Sequence, residues 1–123
     1  HSPYGLDYEQ QEIVMQRIGW VVELLPEKVE EYKRLHADVW PGVLDMIKES
    51  HIQNYSIFLR QFDDGKYYLF SYLEYTGGYF EADMEKMAAD KTTQEWWAFT
   101  DPCFKPFRDA DSWADMEEVF HLD

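Results

Sequence analysis

The chain has 123 residues, of which 11 are basic and 25 are acidic, so its formal net charge is -14. This length suits one domain with one hydrophobic core, since natural domains cluster at about 100 to 150 residues. The negative charge repels polyanions, which argues against nucleic acid or an anionic membrane as a partner and favours a neutral or cationic ligand.

The first twelve residues mix proline, glycine and acidic side chains without periodicity, which is typical of a flexible tail or tag remnant outside the core. The folded domain is therefore expected over residues 13–123. Its first strand is predicted over residues 13–25, IVMQRIGWVVELL, where branched and aromatic side chains alternate. One face of this strand carries Val14, Ile18, Trp20, Val22 and Leu24.

A broken helix is predicted after this strand. It begins at Pro26, since proline is tolerated in a first helical turn, and it is interrupted before Pro41, since proline disfavours the helical conformation of the preceding residue. A second helical segment then runs from about Pro41 to Glu49. The inward stripe of the broken helix consists of Val29, Tyr32, His36 and Val39.

The pair Tyr32 and His36 is the first candidate for chemistry. Residues four apart lie on the same face of a helix, so the phenol and the imidazole point into the same space. Imidazole titrates near neutral pH, which makes His36 a candidate general acid and base. A single histidine on an apolar helix face is more often a hydrogen-bonded structural residue, and the pair alone does not decide between the two roles.

An aromatic hairpin is predicted next. Its strands span residues 53–62 and 66–75, joined by the turn signal Asp-Asp-Gly, and Tyr55 shares a face of the first strand with Ile57 and Leu59. The second strand is apolar on both faces, although the helices of one chain can cover only one of them. We expect a second subunit to cover the other face, which predicts a homodimer.

The last third of the chain is predicted as two helices, a loop and a strand. One helix spans residues 79–89, and Thr92 or Thr93 caps a short helix over residues 94–99. A proline-containing loop follows at residues 104–111, and alternation predicts a final strand over residues 112–122. The resulting order, β-α-β-β-α-β, is that of a ferredoxin-like α+β fold.

Several classes of cofactor site have no support in the sequence. Cys103 is the sole cysteine, so neither an intrachain disulfide nor a cysteine-based metal site can form, and a reducing cytoplasm is expected. The four histidines lack metal-ligand spacing, and no glycine-rich phosphate loop is present. No run approaches the roughly 20 apolar residues of a membrane span. We expect a cytoplasmic protein with no metal, no cofactor and no membrane partner.

Trp96 and Trp97 are candidate sugar-binding residues. An indole offers a flat apolar surface to the C–H face of a sugar and an N–H donor to a hydroxyl group. Neighbouring helical positions diverge, so one ring is expected in the core while the other faces a cleft. Tyr55 can contribute a further ring. Core packing remains the alternative role for each of the three.

Four separated segments resemble the L-rhamnose mutarotase family when taken together: EEYKRLHADVWP at residues 30–41, NYSIFL at 54–59, QEWWAF at 94–99 and MEEVFHL at 116–122. The resemblance implies a mutarotase-like domain that forms a dimeric α+β barrel and interconverts the α and β anomers of a 6-deoxy-L-hexose. It also implies that His36 is the catalytic acid and base, and that Tyr32, Tyr55, Trp96 and Trp97 bind the sugar.

Some residues depart from the family pattern. His121 stands where a tyrosine is expected, and the hairpin turn is longer than in the enzymes best known for rhamnose. Relatives with a similar ending, WADMEEVFHL, are associated with L-fucose. Both L-rhamnose and L-fucose therefore remain open as substrates.

Mutarotation needs proton transfer at the anomeric hydroxyl and at the ring oxygen. His36 is expected to donate to the ring oxygen and to retrieve that proton on closure, while Tyr32 or Glu118 handles the anomeric hydroxyl. Glu118 can equally orient His36 or contact a second subunit. The reaction already proceeds in water, so a modest lowering of the barrier suffices without a cofactor. Two other functions stay open, a dimeric α+β barrel monooxygenase and a non-catalytic sugar-binding module.

Overall fold

The computed structural model describes residues 15–123 of the chain. The predicted tail at residues 1–12, and the start of the predicted first strand at Ile13 and Val14, lie outside the described residues. Within the described range the strands are β1 (Gln16–Leu24), β2 (Ile52–Gln61), β3 (Tyr67–Tyr75), β4 (Phe104–Lys105) and β5 (Ala114–Met116). The helices are α1 (Val29–His36), α2 (Pro41–Glu49), α3 (Phe80–Ala89) and α4 (Lys91–Thr100), with single 3-10 turns at Pro26–Lys28 and Asp101–Cys103.

The strands form one antiparallel sheet in the order β2-β3-β1-β4, and β5 also pairs with β1. β1 therefore lies between the hairpin on one side and the two short terminal strands on the other. This arrangement confirms the predicted ferredoxin-like α+β fold. Within residues 15–123 no helix is long and apolar enough to cross a bilayer.

The helices cover one side of the sheet, which we call the inner face. Alternate residues of β1 and β3 point to it, and Val22, Leu24, Leu69, Leu73 and Tyr75 are each at most 1% exposed. Val29 and Tyr32 of α1 pack on the part of this core near the end of β1, whereas Met87 of α3 packs on the part near the end of β3. Burial of these apolar side chains is the main force that holds helices and sheet together.

The opposite side, the outer face, also carries aromatic side chains. Tyr68, Phe70 and Tyr72 of β3 are only partly buried there, and Phe58 of β2, paired with Phe70, is 63% exposed. The prediction that β3 is apolar on both faces is therefore confirmed, and the described helices lie on one face only.

The helix break is confirmed at Trp40. This residue has φ -63° and ψ 136°, an extended conformation that the following proline favours. As a result α1 ends at His36 and α2 begins at Pro41. The break leaves His36 at the last position of α1, beside the space between the helices and the sheet.

The predicted final strand was too long. β5 ends at Met116, which pairs with Gly19, and residues 117–123 form no strand. Because β1 begins at Gln16, few of its residues lie beyond Gly19 to pair with the tail. Val119, Phe120 and Leu122 are 86%, 78% and 79% exposed, so burial within this chain does not hold the tail against the sheet.

Two local predictions were also wrong. Asp90, not Thr92 or Thr93, caps α4: its carboxylate accepts hydrogen bonds from the Thr93 backbone N–H at 2.9 Å and from the Thr93 hydroxyl at 2.8 Å. A carboxylate is favoured at this position because it faces the positive end of the helix dipole. The predicted loop at residues 104–111 begins with β4, whose Phe104 and Lys105 pair with the end of β1.

Candidate functional site

A cavity of about 670 Å³ lies between the inner face of the sheet and the helices. Its walls come from β1, β2, β3, all four described helices and the segment after α4. Of the six predicted site residues, the structure brings five to this cavity and leaves out Glu118. The five that line it are Tyr32, His36, Tyr55, Trp96 and Trp97.

The His36 imidazole is held in one orientation by the turn of helix before it. Its Nδ1 lies 2.9 Å from the backbone carbonyl oxygen of Tyr32. A carbonyl oxygen only accepts hydrogen bonds, so Nδ1 carries the hydrogen and donates it. In the neutral ring the other nitrogen, Nε2, is then an acceptor and the one nitrogen left for a ligand.

The protonation state of His36 follows from its surroundings. Burial lowers the pKa of the imidazole, and the hydrogen bond to the Tyr32 carbonyl opposes this with a smaller effect. A buried cation loses hydration that the apolar wall does not replace. His36 is therefore neutral at pH 7, with Nε2 able to take a proton.

Aromatic rings fix the plane of this imidazole. The His36 ring stacks on the Tyr32 ring, with centroids 4.1 Å apart and an angle of 29°. The Trp96 ring meets it edge-on at 5.3 Å, and Trp40 packs edge-on against Trp96 at 5.2 Å. These contacts restrict rotation of His36, which is the preorganisation that proton transfer requires.

Two phenols share the cavity with this imidazole. Burial, and to a smaller degree the neighbouring Tyr55, raises the pKa of Tyr32 above its ordinary value. Tyr55 is 38% exposed, yet the surrounding cavity wall removes enough water to raise the pKa of its phenol to about 12. Both phenols keep their protons at neutral pH and can donate hydrogen bonds or protons to a ligand.

The two tryptophans of α4 form adjoining parts of the wall. Trp96 is 5% exposed and packs with Leu35 and Val43, while Trp97 is only partly buried. This matches the expectation that one ring is mainly in the core. Both rings nevertheless line the cavity, so each presents an apolar surface to a ligand.

Glu118 lies elsewhere. Its carboxylate forms a bidentate ion pair with Arg17, with Nε–Oε2 and Nη2–Oε1 distances of 3.0 and 3.1 Å. Arg17 pairs with Glu74 on the outer face of the sheet, so Glu118 belongs to that face. The hydrogen bonds from Arg17 lower the pKa of Glu118, which keeps it charged and engaged outside the cavity.

The sequence analysis missed Asp101 and Trp113, both of which line the cavity. Asp101 lies four residues after Trp97, in the 3-10 turn that directly follows α4, and this spacing was the signal that could have identified it. Burial raises the pKa of its carboxyl group. Trp113 packs edge-on against Phe104 at 5.4 Å, a contact across the loop between β4 and β5 that no periodic pattern predicts.

The side-chain positions of the described residues give no support for metal binding. Among residues 15–123, no three or more His, Cys, Asp or Glu side chains lie close enough together to share a metal ion. What the cavity offers instead is a neutral imidazole, two protonated phenols and indole surfaces.

Comparison with known proteins identifies sequence and structural relatives. The sequence profile of the family described as L-rhamnose mutarotase matches residues 17–122. The L-rhamnose mutarotases of Oceanobacillus iheyensis and Bacillus subtilis are each 36% identical over 110 residues, which cover 89% of this chain and 100% of each relative. The crystal structure of an L-rhamnose mutarotase from Formosa agariphila superposes with a TM-score of 0.67 at 23% identity, over 88% of this chain and 99% of that one.

Proposed function

The chain belongs to the L-rhamnose mutarotase family, and from this membership we propose that it interconverts the α and β anomers of a 6-deoxy-L-hexose in the cavity on the inner face. The observation that carries the proposal is the His36 ring, which has one nitrogen engaged by Tyr32 and the other left for a ligand. A proton acceptor held in this way beside protonated phenols is what ring opening of a sugar needs.

The cavity suits a monosaccharide in size and in lining. Its volume of about 670 Å³ lies within the usual range of ligand pockets, about 300 to 1,000 Å³. Trp96 and Trp97 offer apolar surfaces to the C–H face and the methyl group of a 6-deoxy sugar, and Asp101 can accept hydrogen bonds from hydroxyl groups. The named relatives favour L-rhamnose as the substrate, and L-fucose is the sugar to compare with it.

Ring opening is proposed to begin at the anomeric hydroxyl. Because His36 is neutral at rest, Nε2 takes the proton from the anomeric oxygen, a reversal of the role expected from sequence alone. The bond between C1 and the ring oxygen breaks as the C1 carbonyl forms, and a phenol, Tyr32 or Tyr55, gives its proton to the ring oxygen.

Ring closure runs the same steps backwards after rotation about the C1–C2 bond. The phenolate recovers the proton from the attacking hydroxyl, and the His36 imidazolium returns its proton to the carbonyl oxygen. The free aldehyde exists only between the two steps, and no group outside the cavity is consumed. A barrier lowering of about 3 to 5 kcal/mol from acid and base catalysis corresponds to roughly 10² to 10⁴ in rate.

The working unit is proposed to be a homodimer in which the outer faces of two subunits cover each other. Phe58 is 63% exposed on the outer face, and the tail beyond β5 carries exposed Val119, Phe120 and Leu122. A second copy of the chain would cover this exposed aromatic face and the apolar tail.

The dimer can be tested by light scattering at micromolar concentration. Phe58→Glu places a charge on the outer face and is expected to yield monomers, whereas Tyr79→Glu alters a ring that is 81% exposed just before α3 and should leave the dimer intact. A wild-type monomer at this concentration would contradict the proposal.

The activity can be tested by saturation-transfer NMR on the anomeric protons of L-rhamnose and L-fucose. Transfer between the α and β signals should become faster with wild-type protein. Sugar binding without faster exchange would instead make the chain a binding module, and comparison of the two sugars identifies the preferred substrate.

A further inference from the structure

Strand β2 contains an irregularity beside the cavity. Gln53 pairs with Glu74 and Ser56 pairs with Tyr72, so β2 advances three residues while β3 advances two. One extra residue therefore stands in β2, which is a β-bulge.

The bulge changes which side chains point inward. Side chains alternate between the two faces of a regular strand, so residues 52 and 55 would lie on opposite faces. Here Ile52 pairs with Tyr75 and is buried on the inner face, while Tyr55 lines the cavity on the same face. Without the extra residue, either Ile52 would leave the core or Tyr55 would leave the cavity.

Asn54 provides the backbone conformation that the bulge needs. Its φ is +47°, in the left-handed region, which asparagine adopts more readily than most residues other than glycine. Its side-chain amide donates to Glu74 Oε1 at 2.6 Å. The same residue therefore supplies the unusual backbone and a bond that ties it to β3.

Glu74 is held in place from several directions. Gln53 donates to Oε1 at 2.9 Å, and the Tyr72 hydroxyl donates to Oε2 at 2.8 Å. These hydrogen bonds, that of Gln53 first, lower the pKa of Glu74, so the carboxylate is charged at neutral pH. Arg17 lies across from it on β1. A charged acceptor strengthens each of these bonds.

We propose that Asn54 and Glu74 are positioning residues, which act from the outer face to hold the bulge and thereby aim Tyr55 into the cavity. This inference rests on the proposed function, in which Tyr55 meets the sugar. Neither residue touches the sugar. They control the site through the conformation of one strand.

The position of Tyr55 can be measured without sugar. In protein labelled with ¹³C at the tyrosine Cζ, the Tyr55 resonance is assigned as the one that Tyr55→Phe removes. Asn54→Ala loses both the left-handed preference and the amide bond, so the Tyr55 resonance should move and its phenol should titrate closer to an ordinary tyrosine. An unchanged Tyr55 resonance and titration in Asn54→Ala would overturn the proposal.

Two further variants separate the backbone from the hydrogen bond. Asn54→Gly keeps access to the left-handed conformation and loses only the amide, so a partial change at Tyr55 is expected, and this variant serves if Asn54→Ala does not fold. Gln53→Ala removes a different bond to the same Glu74 oxygen and should leave Tyr55 unchanged. The proposal fails if Asn54→Gly matches the wild type or if Gln53→Ala moves Tyr55 as far as Asn54→Ala does.

A double-mutant cycle tests the link to the sugar. Asn54→Ala should weaken L-rhamnose binding about two- to tenfold, the range for one lost hydrogen bond, and should cause no further loss when it is combined with Tyr55→Ala. Additive losses would show that Asn54 acts elsewhere. If the wild type neither binds L-rhamnose nor exchanges its anomers, the proposed function fails, while the tyrosine spectra still decide whether Asn54 holds Tyr55 in place.

Discussion

The inner and outer faces of the same sheet are both rich in aromatic side chains, yet they carry different chemistry. On the inner face, helices stand over the sheet and enclose Tyr32, His36 and Tyr55 around a cavity. On the outer face, rings such as Phe58 spread over an open surface. Aromatic content alone therefore does not distinguish the two faces, whereas enclosure by the helices marks the inner face as the candidate site.

The carboxylates of the outer face and the titratable groups of the cavity also differ in the main cause of their pKa shifts. Burial is the first cause of the shifts at His36, Tyr32 and Tyr55. For Glu118 and Glu74 on the outer face the first cause is a hydrogen-bond donor, Arg17 or Gln53. A group whose pKa is shifted by burial still has a lone pair or a proton available for a ligand. A carboxylate whose pKa is shifted by a hydrogen-bond donor is already bound to that donor.

The largest expected effect comes from the inner face. His36→Ala should slow anomer exchange by about 10² to 10⁴, the usual contribution of a general acid and base, with fold and dimer retained. Saturation-transfer NMR gives the rate, and the melting transition gives the stability.

The matched control is His51→Asn, which alters a histidine outside the cavity while keeping a residue suited to its φ of 66°. It should exchange anomers at the wild-type rate. If His36 is structural, His36→Ala will instead lose about 1 to 3 kcal/mol of stability through a broken buried hydrogen bond, with activity retained in the folded fraction.

Removal of a phenol hydroxyl is expected to have the next largest effect on anomer exchange. Whichever of Tyr32→Phe and Tyr55→Phe removes the proton donor should lower kcat by about 10² or more with sugar affinity retained. The other should weaken binding alone, by about two- to tenfold. Two variants with wild-type kcat would remove the phenols from proton transfer and leave Asp101 as the acid to test.

The pH dependence should reflect the neutral imidazole. Because burial lowers the pKa of His36 in the folded protein, exchange should fall with decreasing pH along a limb centred below the ordinary value of about 6.5. The free energy of unfolding should fall with decreasing pH as well. Below pH 6.5 the unfolded chain binds the proton more readily than the folded chain, so the stability that neutral His36 contributes is lost as pH falls through the folded pKa. A rate measured from pH 8 to pH 4 that rises towards acid would contradict a neutral base.

The smallest effect on catalysis is expected at Glu118. Glu118→Gln weakens an exposed ion pair with Arg17 on the outer face, and such pairs contribute little to stability. The rate of anomer exchange should stay within about twofold of the wild-type rate, whereas His36→Ala should lower it by about 10²-fold or more. A loss comparable to that of His36→Ala would show that the dimer brings Glu118 to the cavity of its partner.

Short-range periodicity was enough to predict much of the molecule. The shared face of Tyr32 and His36, the break before Pro41 and the adjacency of Trp96 to Trp97 all follow from spacings within one or two helical turns, where backbone geometry dictates which side chains meet. The alternation of Tyr55, Ile57 and Leu59 likewise placed these residues on one face. These features required no knowledge of distant segments.

The tertiary structure decided where distant segments meet. The pairing of Gly19 with Met116 places Glu118 beside Arg17 on the outer face, away from His36. The bulge at Asn54 brings Tyr55 and Ile52 to the same face, and the segment after α4 carries Asp101 and Trp113 to the cavity. Strand register is set by hydrogen bonds and packing between residues far apart in the chain, and a one-residue change of register reverses every face.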